Sequence, residues 1–380
     1  MRKSFVLLAV GALAAGLFII SVSAAAGGSS HVHVSAPSAA ACASTISGSG
    51  DFGGIVHALQ IGCQAHNTSD AANGTPPLIW HGGPVMGTAS TGPVVVTPIY
   101  WNPSGGGHPM NSKYKSIITT YLAGVAHDSG LHSNVFSTLN EYSGSNGAIS
   151  YQVRLGTPID DTHALPTDGC TVASNDTTNI YADGTGYNAC LDDDQVIAET
   201  ERVVAANNLP VDLGHIYVLF LAKHVESCFF AGSTTTAANA CTINHQPSAA
   251  YCAYHSMASN GMVYGNLAYP IYASPVGFTC SSDARFPVVQ TPNHNADADT
   301  EISPTSHEIM ESITDPDTST GWYDSSGFEN GDECAYVFGP TQGKTGQLYN
   351  QVINGQNYLT QEEFSNHDFA NTGKGCLQGE

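Results

Sequence analysis

The sequence predicts an α+β fold: a central mixed sheet with packed helices and long loops tied by disulfides. Short β-branched and aromatic runs alternate along the chain with amphipathic helical patterns. The chain has 380 residues, of which 42% are hydrophobic, enough for a substantial core. Its 40 glycines and 19 prolines indicate many turns and long loops. This order of elements predicts a layered fold but leaves the order of strands in the sheet open.

The N-terminus is typical of an export signal. Arg2 and Lys3 precede an apolar run over residues 5–22, and small residues around Ala24 provide a cleavage pattern. A membrane anchor is the alternative, because the apolar run approaches the minimum spanning length. We therefore predict a signal peptide at residues 1–26 and a secreted protein, either free in the medium or associated with a cell wall.

The remaining chain divides by composition. Residues 27–50 are rich in Gly, Ala and Ser, which predicts a flexible leader. No later linker divides the body, so we expect residues 51–380 to form a single secreted globular domain.

The charge is strongly acidic. Ten Lys and Arg against 32 Asp and Glu give a net charge of −22. Such a surface repels phosphate backbones and anionic lipid, so we expect no nucleic-acid partner and no membrane contact after signal cleavage. It favours cations, including Ca²⁺ and Zn²⁺.

Ten cysteines fit an oxidising compartment, because an even number leaves none necessarily unpaired. No CxxC pair occurs, which disfavours a thiolate metal site or a redox enzyme. Pairing in sequence order closes five short loops: Cys42 with Cys63, Cys170 with Cys190, Cys228 with Cys241, Cys252 with Cys280, and Cys334 with Cys376.

The first half of the body contains four recognisable elements. Residues 51–64 have a weakly helical pattern, and residues 93–101 form a dense β-branched and aromatic run that predicts a buried strand. Asn111 or Ser112 can cap an amphipathic helix. Residues 149–155 alternate like a strand with one exposed face. A polar excursion at 156–192 follows.

The second half begins with a helix capped by the acidic run that starts at Asp192, where negative charge favours the helix dipole. Residues 215–221 are apolar and short enough for a central strand. Residues 251–256 and segments within 262–272 predict further short strands. Residues 273–300 are predicted to be loop.

The last predicted helix contains the chemically most informative residues. Ser303 or Thr305 can cap it, with Pro304 in its first turn. His307 and Glu311 are four residues apart, so on a helix their side chains leave from the same face. That spacing allows both side chains to reach one metal ion.

The motif resembles the zincin metalloprotease pattern H-E-x-x-H, with Glu311 in place of the second histidine. The resemblance implies a zincin-like mixed α/β fold with Glu308 as general base. Glu329, eighteen residues after Glu311, or the neighbouring Asp332 could supply a third ligand. His255 is a further, less favoured candidate for a metal ligand. A site this anionic suits Zn²⁺ less well than a two-histidine site, and Ca²⁺ or Mn²⁺ become alternatives.

Several blocks together resemble the EXORDIUM-like or phosphate-induced secreted proteins, in their bacterial branch. They occur in the same order at 81–86 (HGGPVM), 99–101 (IYW), 252–256 (CAYHS), 306–311 (SHEIME), 314–316 (TDP), 322–323 (WY) and 329–334 (ENGDEC). The resemblance implies an exported, disulfide-bearing protein associated with the cell wall. It implies no particular reaction.

Two functional hypotheses follow. In the first, the protein is a metal-dependent hydrolase, peptidase-like, in which His307, Glu311 and Glu329 hold the ion and Asp332 is an alternative ligand. Its substrate would be a peptide or a cell-wall polymer. In the second, the same residues hold a structural cation in a non-enzymatic extracellular protein. A third interpretation is that the acidic residues only form a solvated surface loop.

Overall fold

The computed structural model describes residues 55–57, 59–60, 76–104, 110–170, 186–229, 241–242, 251–270 and 278–380. The predicted signal peptide, the leader at 27–50 and the pair Cys42–Cys63 fall outside these residues or their described side chains. The predicted boundaries of the globular domain stay a prediction.

A seven-stranded mixed sheet forms the centre of the fold and confirms the predicted α+β class. Its strands are β1 (Ile55–His57), β2 (Val94–Trp101), β3 (Val153–Leu155), β4 (Ile159–Asp161), β5 (His215–Phe220), β6 (Tyr251–Met257) and β7 (Val263–Leu267). They follow the order β1-β6-β7-β5-β2-β3, and β4 pairs with the far half of β2. The strands β3, β2, β5 and β7 run parallel, whereas β6 and β1 are antiparallel to their neighbours.

Helices and small strand pairs complete the described residues. The α-helices are α1 (Ser112–His127), α2 (Asp193–Ala206), α3 (Ala296–Thr314) and α4 (Asn366–Thr372). Short 3-10 helices occupy Val135–Glu141, Ser282–Ala284 and Asp332–Cys334. Short pairs join Leu59–Gln60 with Phe278–Thr279, Ile79–Trp80 with Trp322–Tyr323, Ser143–Gly144 with Gly147–Ala148, Ala189–Asp192 with Val225–Cys228, Gln351–Ile353 with Gln356–Tyr358, and Glu363–Phe364 with Cys376–Leu377.

Helices cover both faces of the sheet. Alternation along β5 sends Val218 into the core formed with α1 and α3, and sends Leu219 into the core formed with α2. The helix α3 packs across β6 and β7 and against α1. Residues of α3 therefore face a strand on one side and another helix on the other.

The predicted caps of two helices are confirmed. Asn111 accepts a hydrogen bond from the Tyr114 amide at 2.7 Å, which begins α1. Asp192 forms a reciprocal capping box with Gln195 at the start of α2. Each satisfies backbone donors that the first helical turn leaves unpaired.

Two predictions in the sheet region were wrong in part. Residues 55–57 and 59–60 are strands, not a helix, and β1 pairs antiparallel with β6. Pairing at the sheet edge prevails over a weak helical pattern there. The strand predicted over 149–155 is reduced to β3, because only three of its residues pair with β2.

The helix α3 begins earlier than predicted. Its cap is Asn295, whose side chain accepts from the Ala298 amide at 2.9 Å, so Pro304 lies inside the helix. An interior proline removes one backbone hydrogen bond and costs about 3 kcal/mol. Nearly all residues from Ala298 onward are buried, and this packing offsets the cost.

Four predicted disulfides are confirmed within the described part of the chain. They join Cys170 with Cys190, Cys228 with Cys241, Cys252 with Cys280, and Cys334 with Cys376. Among the described residues, no helix combines the length and apolar character needed to cross a membrane.

Candidate metal centre

The helix α3 brings His307, Glu308 and Glu311 into the interior, where their exposed fractions are 0%, 1% and 0%. The chain returns after the helix and adds Glu329 at 0% and Asp332 at 6%. A solvated acidic loop is therefore the wrong interpretation of this stretch. Buried carboxylates must be compensated by protons, hydrogen-bond donors or cations.

The returning loop is held against α3 by short-range contacts. The Asp332 amide donates to Glu311 Oε1 at 3.0 Å, and the disulfide of Cys334 fixes the loop end. Gly331 lies so close to α3 that an added Cβ would be 2.8 Å from the His307 ring. Only glycine allows this approach, which brings Asp332 to the helix.

The first group of candidate ligands consists of His307, Glu311 and Asp332. The His307 Nε2 atom lies 2.8 Å from Glu311 Oε1 and 3.5 Å from Asp332 Oδ1. Nε2 is therefore within reach of both carboxylates. One donor atom from each residue lies within 4.8 Å of the others, a spacing that one ion could span.

The second group consists of His255, Glu311 and Glu329, again with donor atoms within 4.8 Å of one another. His255 shares a face of β6 with Ala253, which packs in the core on the α3 side. Its Nε2 lies 3.7 Å from Glu329 Oε1. Glu329 and Asp332, considered for one ligand position, thus lie in different groups.

The tautomer of His255 follows from its neighbours. Its Nε2 lies 3.0 Å from the carbonyl oxygen of Asp315, which only accepts, so Nε2 donates. The other nitrogen, Nδ1, then faces Glu308 Oε2 at 3.1 Å and Glu311 Oε2 at 3.8 Å. Either a proton or a cation must lie between Nδ1 and these oxygens. Metal-binding histidines commonly donate their second nitrogen to a carbonyl in this way.

Gln361 contacts the His307 ring, and this contact was not predicted from the sequence. Its Nε2 donates to the Gly331 carbonyl at 2.7 Å and lies 2.8 Å from His307 Nδ1. In this arrangement Nδ1 accepts, and the proton of a neutral imidazole is on Nε2. A metal ion on Nε2 requires the proton on Nδ1, so the amide of Gln361 would have to turn its oxygen towards Nδ1 and give up its bond to the Gly331 carbonyl.

The carboxylates of the cluster have few positively charged neighbours. Within the described part of the chain, all ion pairs of Glu311, Glu329 and Asp332 are with histidine. Both carboxylate oxygens of Glu329 lack a hydrogen-bond partner. Such uncompensated oxygens suit a cation of charge two better than they suit a neutral interior.

The pKa values of these residues reflect the buried negative charge. Burial, together with the charge of Asp332, raises the pKa of Glu311 to about 7. Burial also raises the pKa of Asp315 to about 7, and it raises the pKa of Glu329 far above its usual value. Burial alone would lower the pKa of His307, but the charges of Glu311 and Asp332 raise it well above 6.5.

We expect the metal-free protein to lose stability as the pH rises from about 4.5 to above 7. The folded Glu311 carboxyl binds its proton more tightly than the unfolded one, so ionisation opposes folding across this window. His307 acts in the same direction, because its favourable charge is lost as the pH passes its raised pKa. The Glu311 contribution is on the order of a few kcal/mol. Denaturant unfolding of chelated protein at pH 5 and 8 measures this, and greater stability at pH 8 would contradict it.

The donor set suits zinc better than calcium. Each group offers an imidazole nitrogen and two carboxylates, donor types that zinc accepts at low coordination number, whereas calcium takes six to eight oxygens. The fold and site thus define an α+β protein with a buried histidine–carboxylate cluster of metal-binding composition.

Comparison with known proteins adds no relative: no family model, no curated protein and no solved structure matches the chain. The resemblances to zincins and to EXORDIUM-like proteins stay predictions from the sequence motifs.

Proposed function

We propose that this protein is a secreted metal-dependent hydrolase with peptidase-like chemistry. The observation that supports it best is the first group, in which His307, Glu311 and Asp332 provide three protein ligands. Catalytic zinc sites typically use three protein ligands and keep one position open, whereas structural sites use four.

Each residue of the cluster would have a separate role in hydrolysis. His307, Glu311 and Asp332 would hold the ion, which as a Lewis acid polarises a carbonyl and lowers the pKa of water. Glu308 would accept a proton from the attacking water and deliver it to the leaving group. His255 Nδ1, at 3.1 Å from Glu308 Oε2, would orient that carboxylate.

Substrate must reach a cluster that is enclosed. The neighbouring surface residue is Tyr323, whose pKa is raised by burial and by the charges of Asp315 and Glu329. Its ring stacks on exposed His81 with centroids 3.5 Å apart. Catalysis would therefore require residues around the cluster to move, and this stacked pair is one candidate.

The proposed location and substrate rest on the sequence. The signal-like N-terminus supports secretion, and the four disulfides agree with an oxidising compartment. The motifs similar to EXORDIUM-like proteins support a place in the medium or at the cell wall. A peptide or a cell-wall polymer is then the proposed substrate.

Burial favours a second candidate function. The candidate ligands are almost fully enclosed, as a structural ion requires and as a catalytic ion does not. In this alternative the protein is a non-enzymatic extracellular or wall-associated protein, and the cation joins α3 to the loop that contains Asp332.

Elemental analysis of the purified protein, combined with hydrolysis assays on casein peptides and wall polysaccharides, tests both candidates. We expect bound zinc, and we expect Glu308→Gln to retain the metal while losing at least about 100-fold in turnover. Glu201→Gln, far from the cluster on α2, serves as the matched control.

The outcomes separate the hypotheses. Stoichiometric metal without hydrolysis of either substrate class supports the structural cation. Unchanged turnover in Glu308→Gln would exclude this residue as the base. Absence of any divalent metal in protein supplied with zinc would reject both candidates.

A further inference from the structure

We propose that the cluster is a binuclear centre, in which Glu311 bridges two divalent cations. This inference rests on the proposed metal-dependent function and extends it by a second ion site. The first ion lies with His307 and Asp332, and the second lies with His255 and Glu329.

The bridge follows from the two oxygens of Glu311. Oε1 lies 2.8 Å from His307 Nε2, whereas Oε2 lies 3.8 Å from His255 Nδ1. The two imidazoles therefore approach opposite oxygens of one carboxylate. Carboxylates that bridge in this way hold pairs of ions about 3.5–4 Å apart.

One ion would leave half of the cluster uncompensated. Glu329 belongs with His255, and both of its oxygens are buried without a hydrogen-bond partner. An ion held by His307 and Asp332 reaches neither of these oxygens through the contacts of its own group. A second ion among His255, Glu311 and Glu329 would give the oxygens of Glu329 a cationic partner.

The buried charge supports two ions. Glu308, Glu311, Glu329 and Asp332 are buried together, and buried Asp315 and Glu363 interact with them. Two cations of charge two offset more of this buried negative charge than one cation does. Glu308 Oε2 faces His255 Nδ1 beside the second site, but Glu308 belongs to neither ligand group and keeps its proposed role as the base.

The donor chemistry limits the ions. The two imidazoles and three carboxylates of the ligand groups, with Glu308 beside them, resemble the set of two histidines and four glutamates in di-iron and di-manganese carboxylate proteins. Nitrogen donors at both positions favour Zn²⁺, Mn²⁺ or Fe²⁺ over Ca²⁺. We therefore choose Zn²⁺ and Mn²⁺ as probes.

The test is metal stoichiometry in the purified full-length mature protein. After chelation and reloading with zinc, we expect two ions per chain in the wild type and one in Glu329→Gln. Glu301→Gln is the matched control, because Glu301 is buried on the same helix but is bound by Tyr114 at 3.0 Å outside both groups. It should keep two ions.

Loading with Mn²⁺ provides a second measurement that needs no variant. Two ions bridged by a carboxylate are expected to show exchange-coupled paramagnetic resonance signals, which an isolated ion does not show. One zinc per chain with an uncoupled manganese spectrum would overturn the binuclear centre and leave the proposed hydrolase intact. No zinc in the wild type would overturn both.

Discussion

Substitution of Glu311 by glutamine is expected to remove zinc from the protein and to lower turnover at least about 100-fold. Glu311 is the one residue shared by both ligand groups, so its loss weakens each of them. The amide keeps the size of the side chain but loses the charge that holds a cation. Metal content after reloading and turnover of the peptide substrate measure the effect.

The same variant distinguishes loss of metal from loss of structure. The metal-free variant should be at least as stable as metal-free wild type at pH 8, because the buried carboxylate has its pKa raised to about 7 and opposes folding when ionised. Glu301→Gln again provides the control on the same helix. Full zinc content in Glu311→Gln would contradict the assigned role.

The parts of the fold that were predictable depend on local signals. Asn111 and Asp192 cap their helices through side-chain contacts within three residues, and such contacts are visible in the sequence. The start of α3 was missed because Pro304 is typical of a first turn. Burial of the whole helix against β6 and α1 is a tertiary effect, and no local pattern predicts it.

The site was predictable only where its residues share one helix. The spacing of His307 and Glu311 indicated a common face, and the structure places them 2.8 Å apart. His255 was a weak candidate, because nothing in the sequence shows that β6 lies beside α3. Gln361 gave no signal at all, since it reaches His307 from a loop 54 residues away.

The pairing of the disulfides could be predicted from the sequence, but the effect of one of them on the site could not. Sequence order predicted four pairs correctly, because each joins neighbouring cysteines across a loop of 13 to 42 residues. The bond between Cys334 and Cys376 closes the longest of these loops and fixes the segment containing Asp332. Its contribution to the metal site could not be deduced before the path of that loop was known.

Removal of metal by a chelator is expected to lower the melting temperature by about 5–15 °C at pH 8. A ligand at 1,000 times its dissociation constant stabilises a protein by about 4 kcal/mol, and two ions add their effects. Zinc should restore the melting temperature, whereas magnesium should not, because it prefers oxygen ligands and binds histidine poorly. An unchanged melting temperature on chelation would show that no ion stabilises the fold.

The pH dependence of this change in melting temperature tests whether the ion compensates the charge of the buried carboxylates. At pH 5 the Glu311 and Asp315 carboxyls, with pKa values raised to about 7, retain their protons and no longer need a cation. Protons also compete with the metal for the ligands. The shift on chelation should therefore be small at pH 5 and large at pH 8. A shift of equal size at both pH values would mean that the ion binds away from these carboxylates.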